Sequence, residues 1–301
     1  MERLRLEQVS KTFGSHLAVD SLSLSVQAGE IFGLLGANGA GKTTTMRMVL
    51  NILKPDQGQI YWKGKPSYES LRKLTGYLPE ERGLYPKIKV SEQILYMAKL
   101  RGISRTDAEK SLKYWLERFQ VLQYYDMKVE ELSKGNQQKI QFIAAVIHRP
   151  EILVLDEAFS GLDPVNVELL KDSVKDLRDQ GTAVLFSTHR MEHVEELCSN
   201  ICILHRSKAV LKGNLKELKQ KYPRERVQLK TASPVEGLER VKGVLQVQST
   251  ENGYDIRIAD EASAQQLLSL AMSQTNVIKF EVKEPSMNEI FIKAVGGEKN
   301  E

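Results

Sequence analysis

At 301 residues, with 43 basic and 39 acidic side chains and a net charge of +4, the chain has room for one large α/β domain and a smaller companion, and its charge balance gives no ground for a nucleic-acid partner. No apolar run reaches the roughly 18 residues of a membrane span, and the N-terminus MERLRLEQVS lacks the apolar centre of a secretory signal, so a membrane process would need another chain to supply the membrane part. Cys198 and Cys202 stand four apart with only His205 nearby, too few ligands for a metal, and read as reduced, packed side chains of a cytosolic protein.

The first elements are strands. Residues 4 to 9 alternate apolar with polar side chains, and residues 22 to 26 repeat the pattern. Between them stands Phe13, which can pack as an ordinary strand end or offer a flat apolar face to an adenine ring. Residues 31 to 35 form a short apolar run that reads as a buried strand, and residues 44 to 53 read as a helix. Between these lies GANGAGKTT: Gly36, Ala37, Asn38, Gly39, Ala40, Gly41, Lys42, Thr43 and Thr44. It fits the phosphate-loop pattern G-x-x-x-x-G-K-[ST] in the strand-loop-helix setting that pattern needs. Three glycines let backbone N–H groups and the positive end of the helix converge on an anion, Lys42 reaches the β and γ phosphates, and the Thr43 hydroxyl ligates Mg²⁺.

Residues 54 to 58 signal a turn, residues 59 to 65 a hairpin, and residues 75 to 86 a strand that breaks into a Pro/Gly loop carrying Glu80 and Glu81. From 90 to 150 the pattern is helical. Ser91 is placed to cap a helix that ends at Gly102, and Ser104 caps a second helix with Ala108, Leu112, Trp115, Leu116 and Phe119 on its buried face. Ser133 stands as N-cap before an amphipathic helix expected over 137 to 148, where its hydroxyl and the free N–H groups make a second anion site.

Residues 152 to 155 are a continuous apolar run that delivers Asp156 and Glu157 at its end. A buried strand has no structural need for two acids there. Asp156 suits a magnesium ion, and Glu157 can take a proton from a water attacking a γ-phosphate. Asp163 caps a helix with Pro164 in its first turn, running to Gln180 and stopped by Gly181. Another apolar strand, 183 to 186, leads through Ser187 and Thr188 to His189, which emerges at the same sheet edge and can donate to a phosphate oxygen.

After a short basic helix at 214 to 222 the pattern restarts. Strands at 227 to 230, 244 to 249, 254 to 258 and 277 to 282 alternate with helices at 235 to 241, 262 to 272 and 286 to 295, with a turn at Glu251, Asn252 and Gly253. This βαββαβ order with an extra helix predicts a small α+β ferredoxin-like domain without a catalytic constellation.

The ordered set of motifs, from the phosphate loop through Leu132-Ser133-Lys134-Gly135-Asn136, the strand ending in Asp156-Glu157 and the Ser160-Gly161-Leu162-Asp163 turn to His189, resembles an ATP-binding-cassette ATPase over about two-thirds of the chain. The wording of residues 76 to 86 is most similar to cytosolic ATP-binding subunits of bacterial ABC-2-type exporters with a separate permease chain, including the sodium-extrusion type. The resemblance implies an α/β P-loop ATPase domain at 1 to 222 with a helical subdomain at about 86 to 150, followed by an accessory domain at 223 to 301. It implies ATP and Mg²⁺ as ligands and a homodimer with ATP at its interface. One subunit would hold ATP with Phe13, residues 36 to 44 and a metal on Thr43, Glu80 and Asp156, while the other contributes Ser133 and Gly135; Asp163 is a further nucleotide-binding residue. Glu157 and His189 would be catalytic. The expected place is the cytoplasmic face of the membrane, the expected task efflux of a solute such as sodium ion or a drug. Glu80 replaces the usual glutamine, Lys134 and Asn136 replace a glycine and a glutamine, and Ala158-Phe159 replaces Pro-Thr. Two other readings compete: a soluble cassette ATPase on nucleic acid or ribosomes, disfavoured by the single cassette and short insert, and a regulatory module without turnover, disfavoured by the intact Asp156-Glu157 pair.

Overall fold

The computed structural model describes residues 1–66, 74–81, 83–251 and 253–296, so Arg82 in the acidic loop and Asn252 in the C-terminal turn lie outside the described residues. The chain divides into two compact units, Met1–Gly213 and Asn214–Glu301. The short helix after Asn214 therefore groups with the second unit, nine residues earlier than the 222/223 boundary read from sequence.

In the first unit, long antiparallel strands β1 (Glu2–Phe13) and β2 (His16–Gln27) are followed by β3 (Ile31–Gly36), helix α1 (Lys42–Val49) and β4 (Gln57–Trp62). β4 pairs with the free edge of β1, Leu4 opposite Trp62 and Leu6 opposite Ile60, giving the order β2-β1-β4. The expected hairpin is a turn at Lys63 and Gly64 that brings Lys65 back to Trp62 by one bridge. The other sheet contains β3, β5 (Thr75–Leu78), β6 (Ile152–Asp156), β7 (Ala183–Thr188), β8 (Asn200–His205) and β9 (Lys208–Asn214), in the order β5-β6-β7-β3-β8-β9. β3, β6 and β7 are buried along their whole length, as continuous apolar runs between parallel neighbours must be. One core, including Leu4, Leu22, Ile60, Met46, Leu34 and Val154, joins the antiparallel sheet, α1 and the parallel sheet. Cys198 and Cys202 are free and buried, and burial pushes the Cys202 thiol up to about 12.

The helical insert holds α2 (Val90–Leu100), α3 (Arg105–Arg118) and α4 (Lys134–Val146). Trp115, Phe119 and Phe142 form its aromatic centre, with ring centroids 5.6 to 5.9 Å apart. Two expectations are corrected. Lys89, not Ser91, is the N-cap of α2, because the N–H groups of Val90 and Ser91 are taken by the carbonyls of Met127 and Tyr125 and no side-chain cap is needed. α4 begins at Lys134 rather than 137, since Ser133 Oγ accepts from the Asn136 N–H and winds the first turn immediately. Ser104 caps α3 as expected, accepting from Asp107 N–H. α5 (Pro164–Asp179) and α6 (Met191–Leu197) complete the unit.

The second unit contains α7 (Leu215–Gln220), β10 (Arg226–Thr231), β11 (Val244–Thr250), β12 (Gly253–Ile258), α8 (Glu261–Gln274), β13 (Val277–Lys283) and α9 (Met287–Gly296). Its antiparallel sheet has the order β11-β12-β10-β13, the ferredoxin-like arrangement. The helix expected at 235 to 241 is only a single 3₁₀ turn, Leu238–Arg240. Gly237 and Gly243, with φ of 76° and 84°, bracket it and leave no length for a helix.

Candidate active site

Strand register assembles the site. β6 and β7 are parallel with Asp156 opposite Ser187, β7 and β3 are parallel with Leu35 opposite Thr188, and β5 and β6 are parallel with Leu78 opposite Leu155. Gly36, Asp156, Thr188 and the loop carrying Glu80 therefore leave the sheet at one edge, the carboxyl edge at which open α/β sheets take their ligands.

The phosphate loop requires glycine at both ends. Gly36 and Gly41 have φ of 151° and 106°, and a Cβ on either would lie 2.4 Å from a carbonyl oxygen, that of Leu204 or of Ala18. Gly41 caps α1 in the left-handed conformation without a side-chain bond, so the first-turn N–H groups of Lys42, Thr43 and Thr44 are presented to an anion. Ala37, Asn38 and Gly39 are exposed over this cradle, while Ala40 is buried beneath it. Lys42 is only 7% exposed, and its Nζ donates to the carbonyls of Gly36 at 2.7 Å and Ala37 at 3.1 Å. Burial lowers its pKa, opposed by Glu157, Asp156 and Glu80. A single cation thus faces three carboxylates, and Glu80 is one of them.

Behind Lys42 the acids are held from both sides. Asp156 is 2% exposed; its Oδ1 accepts from Ser187 Oγ at 2.5 Å and its Oδ2 from Thr43 Oγ1 at 3.3 Å. Glu157 takes a left-handed backbone, φ 48°, a conformation that costs a non-glycine residue about 1 to 3 kcal/mol and is retained at sites where direction matters. Its N–H donates to Ser187 O at 3.1 Å, its Oε2 accepts from Thr188 Oγ1 at 3.3 Å, and its Oε1 lies 2.9 Å from His189 Nδ1. Among the described residues no group of three or more His, Cys, Asp or Glu could hold a metal unaided. Thr43 and Asp156 instead offer the two oxygen donors suited to a Mg²⁺ ion that keeps several waters and shares phosphate oxygens.

The structure thus brings together Lys42, Thr43, Asp156, Glu157 and His189, with Glu80 facing them. The bonds that knit this cluster do not reach Phe13, Ser133, Gly135 or Asp163. Phe13 is 47% exposed at the tip of the β1–β2 hairpin, paired with His16. The Ser133 hydroxyl caps α4. Gly135 lies beside Leu162, whose Cδ2 would be 3.6 Å from an added Cβ. Asp163 caps α5, accepting from the N–H of Asn166 at 3.0 Å and from its side-chain amide. Sequence reasoning gave no role to Ser187 or Thr188. The available signal was a pair of hydroxyls closing a buried strand directly before His189.

Comparison with known proteins points to one family. A family model described as ABC transporter matches residues 19–160, and one described as ATP-binding protein DrrA1-3-like, C-terminal domain, matches residues 213–295. The uncharacterized ABC transporter ATP-binding protein YhaQ of Bacillus subtilis (strain 168) is 51% identical, over 97% of this chain and 98% of its own length. The linearmycin resistance ATP-binding protein LnrL of the same organism is 31% identical over 97% of this chain and 98% of its own. Among solved structures, an ATP binding subunit of an ABC transporter superposes with a TM-score of 0.69 at 27% identity, covering 73% of this chain and 92% of that one.

Proposed function

The chain belongs to the ATP-binding proteins of ABC transporters, and from that premise we propose that it drives export of a solute through a permease carried on a separate chain. It binds and hydrolyses ATP. The observation that carries the reading is Glu157, a buried carboxylate at the edge of the Lys42 cluster, aimed by Thr188 on one oxygen and His189 on the other. A water deprotonated there attacks the γ-phosphorus, its proton passes to Glu157, and the bond to the bridging oxygen breaks with its electron pair leaving on ADP. Lys42 and the α1 N–H groups bind and orient the phosphates. Mg²⁺ held by Thr43 and Asp156, with Glu80 beside it, would neutralise phosphate charge. His189 holds the base and, on release from it, donates to a phosphate oxygen.

Ser133, Gly135 and Asp163 lie outside this cluster, which supports a head-to-tail homodimer in which they complete the partner's site. Phe13, at the hairpin whose β2 limb meets Gly41 at Ala18, is assigned the adenine. Among the described residues no helix is long and apolar enough to cross a membrane, and we assign the protein to the cytoplasmic face, docked on its permease through the helical insert. The linearmycin resistance relative, aligned over nearly the whole chain, supports outward transport. The test is Glu157→Gln. With ATP and Mg²⁺ the variant should bind nucleotide, lose turnover by at least about 10²-fold and sediment as a dimer; an unchanged rate removes Glu157 from its role, and a monomer at saturating ATP removes the dimer.

A further inference from the structure

Helix α4 does more than carry Ser133 and Gly135 at its start. Gln138 and Gln141 are three residues apart, so they share one face of the helix, and both are buried, at 5% and 4% exposure. Gln138 Nε2 donates to the carbonyl of Ala158 at 3.1 Å, the residue directly after Glu157. Gln141 Nε2 donates to the carbonyls of Glu81 at 3.0 Å and Pro79 at 3.4 Å, the residues on either side of Glu80. One helix face therefore grips the chain beside the base carboxylate and brackets the third acid facing Lys42. Gln141 spends its donors on the loop while its own Oε1 stays buried without a partner, an arrangement that costs stability and that a residue serving packing alone would shed. From α2, Gln93 Oε1 accepts from the N–H of Tyr85 at 2.8 Å, so the far end of the same loop is also held by the insert.

We propose that Gln138 and Gln141 are positioning residues that couple the two nucleotide sites of the dimer. The inference rests on the dimer reading above. The N-terminus of α4 meets the partner's nucleotide, and its buried amides hold the loops of its own site. A shift of α4 on engagement is delivered directly to Ala158 and to the carbonyls of Pro79 and Glu81, on either side of Glu80. Glu157 and Glu80 then reach working positions only when the opposite site is filled.

The test uses the full chain with Gln138→Met, Gln141→Met and the double variant, which keep side-chain length and remove the donors. The parent ATPase should depend on ATP with a Hill coefficient approaching 2, and the double variant should fall to about 1, with kcat reduced at least about tenfold. Affinity of the isolated subunit for a fluorescent ATP analogue should stay within about twofold, which separates positioning from loss of the binding site. A double variant that keeps the parent Hill coefficient and kcat overturns the proposal. If it does not melt cooperatively, the single variants carry the same reading, each with a reduced Hill coefficient. A Glu157→Gln parent that dimerises with ATP alongside unchanged cooperativity in the glutamine variants sinks this inference alone; failure of that parent to dimerise sinks the dimer reading with it.

Discussion

His189 Nδ1 lies 2.9 Å from Glu157 Oε1, while the neighbouring Thr188 hydroxyl donates to Oε2 at 3.3 Å. Two consecutive residues at the end of β7 therefore hold both oxygens of one acid delivered by β6. The two holders differ in exposure: the His189 side chain is 61% exposed and Thr188 is buried at 2%. On the proposed reading, His189 leaves the carboxylate for the substrate while Thr188 stays on it.

Replacing the two should separate these roles. His189→Ala is expected to lower kcat for ATP by about 10²- to 10³-fold with KM changed less than about threefold, the signature of an interaction made in the transition state. Thr188→Val, which removes one bond from a base still held by His189, should cost about tenfold or less. Steady-state ATPase kinetics decide it, and a larger loss for Thr188→Val than for His189→Ala would reverse the assignment.

The glycines of the phosphate loop are not equivalent. Gly41→Ala forces a side chain to φ 106° and against the Ala18 carbonyl, whereas Gly39→Ala meets a φ of 79° with nothing within 4 Å. The first should cost about 2 to 3 kcal/mol and the second about 1 kcal/mol. Thermal melting of the two variants without nucleotide should rank Gly41→Ala clearly lower.

Acid should weaken the protein through His148. The ring is buried, its Nε2 meets Thr75 O at 3.2 Å and its Nδ1 has no partner. Burial, followed by the Arg101 charge, lowers its pKa from 6.5 to about 4. The unfolded chain therefore binds the proton more readily between these values, and stability must fall as pH drops from about 6.5 to about 4. The loss by pH 4.5 should be about 2 kcal/mol. His148→Gln, neutral throughout, should show a shallower fall in melting temperature over that window; parallel curves for parent and variant would remove His148 as the cause.

Much of this site was legible because its chemistry is written locally. A phosphate loop declares itself in consecutive residues, and two acids closing an apolar strand, or a histidine after another, have no cheaper structural explanation. Legibility ended where a bond joins distant segments. Ser187 reaches Asp156 across 31 residues and Gln141 reaches Glu81 across 60, and neither spacing leaves a mark on periodicity. The Ser91 cap failed for the same reason, because the distant carbonyls of Met127 and Tyr125 take the N–H groups of Val90 and Ser91 and the helix already starts at Val90. The helix expected at 235 to 241 failed locally, where the left-handed glycines at 237 and 243 leave room for a single turn.

The insert also carries an apolar surface that its own core does not use. Tyr96 and Leu100 are 61% and 63% exposed and four residues apart on α2, and Tyr85 and Ile88 are exposed just before that helix. Spacing of four places both α2 side chains on one face, and two large side chains side by side in the open mark a binding surface more readily than isolated ones do. The Glu80 loop is tied to the same helix through Tyr85 and Gln93, so a chain pressing on this face would act on the third of the acids facing Lys42. Tyr96→Ser combined with Leu100→Ser should leave the ATPase of the isolated protein within about twofold, since neither side chain reaches the Lys42 cluster, yet abolish recovery of a multi-span membrane chain in a tagged pull-down from detergent-solubilised membranes. Undiminished recovery of that chain would move the permease contact to another face.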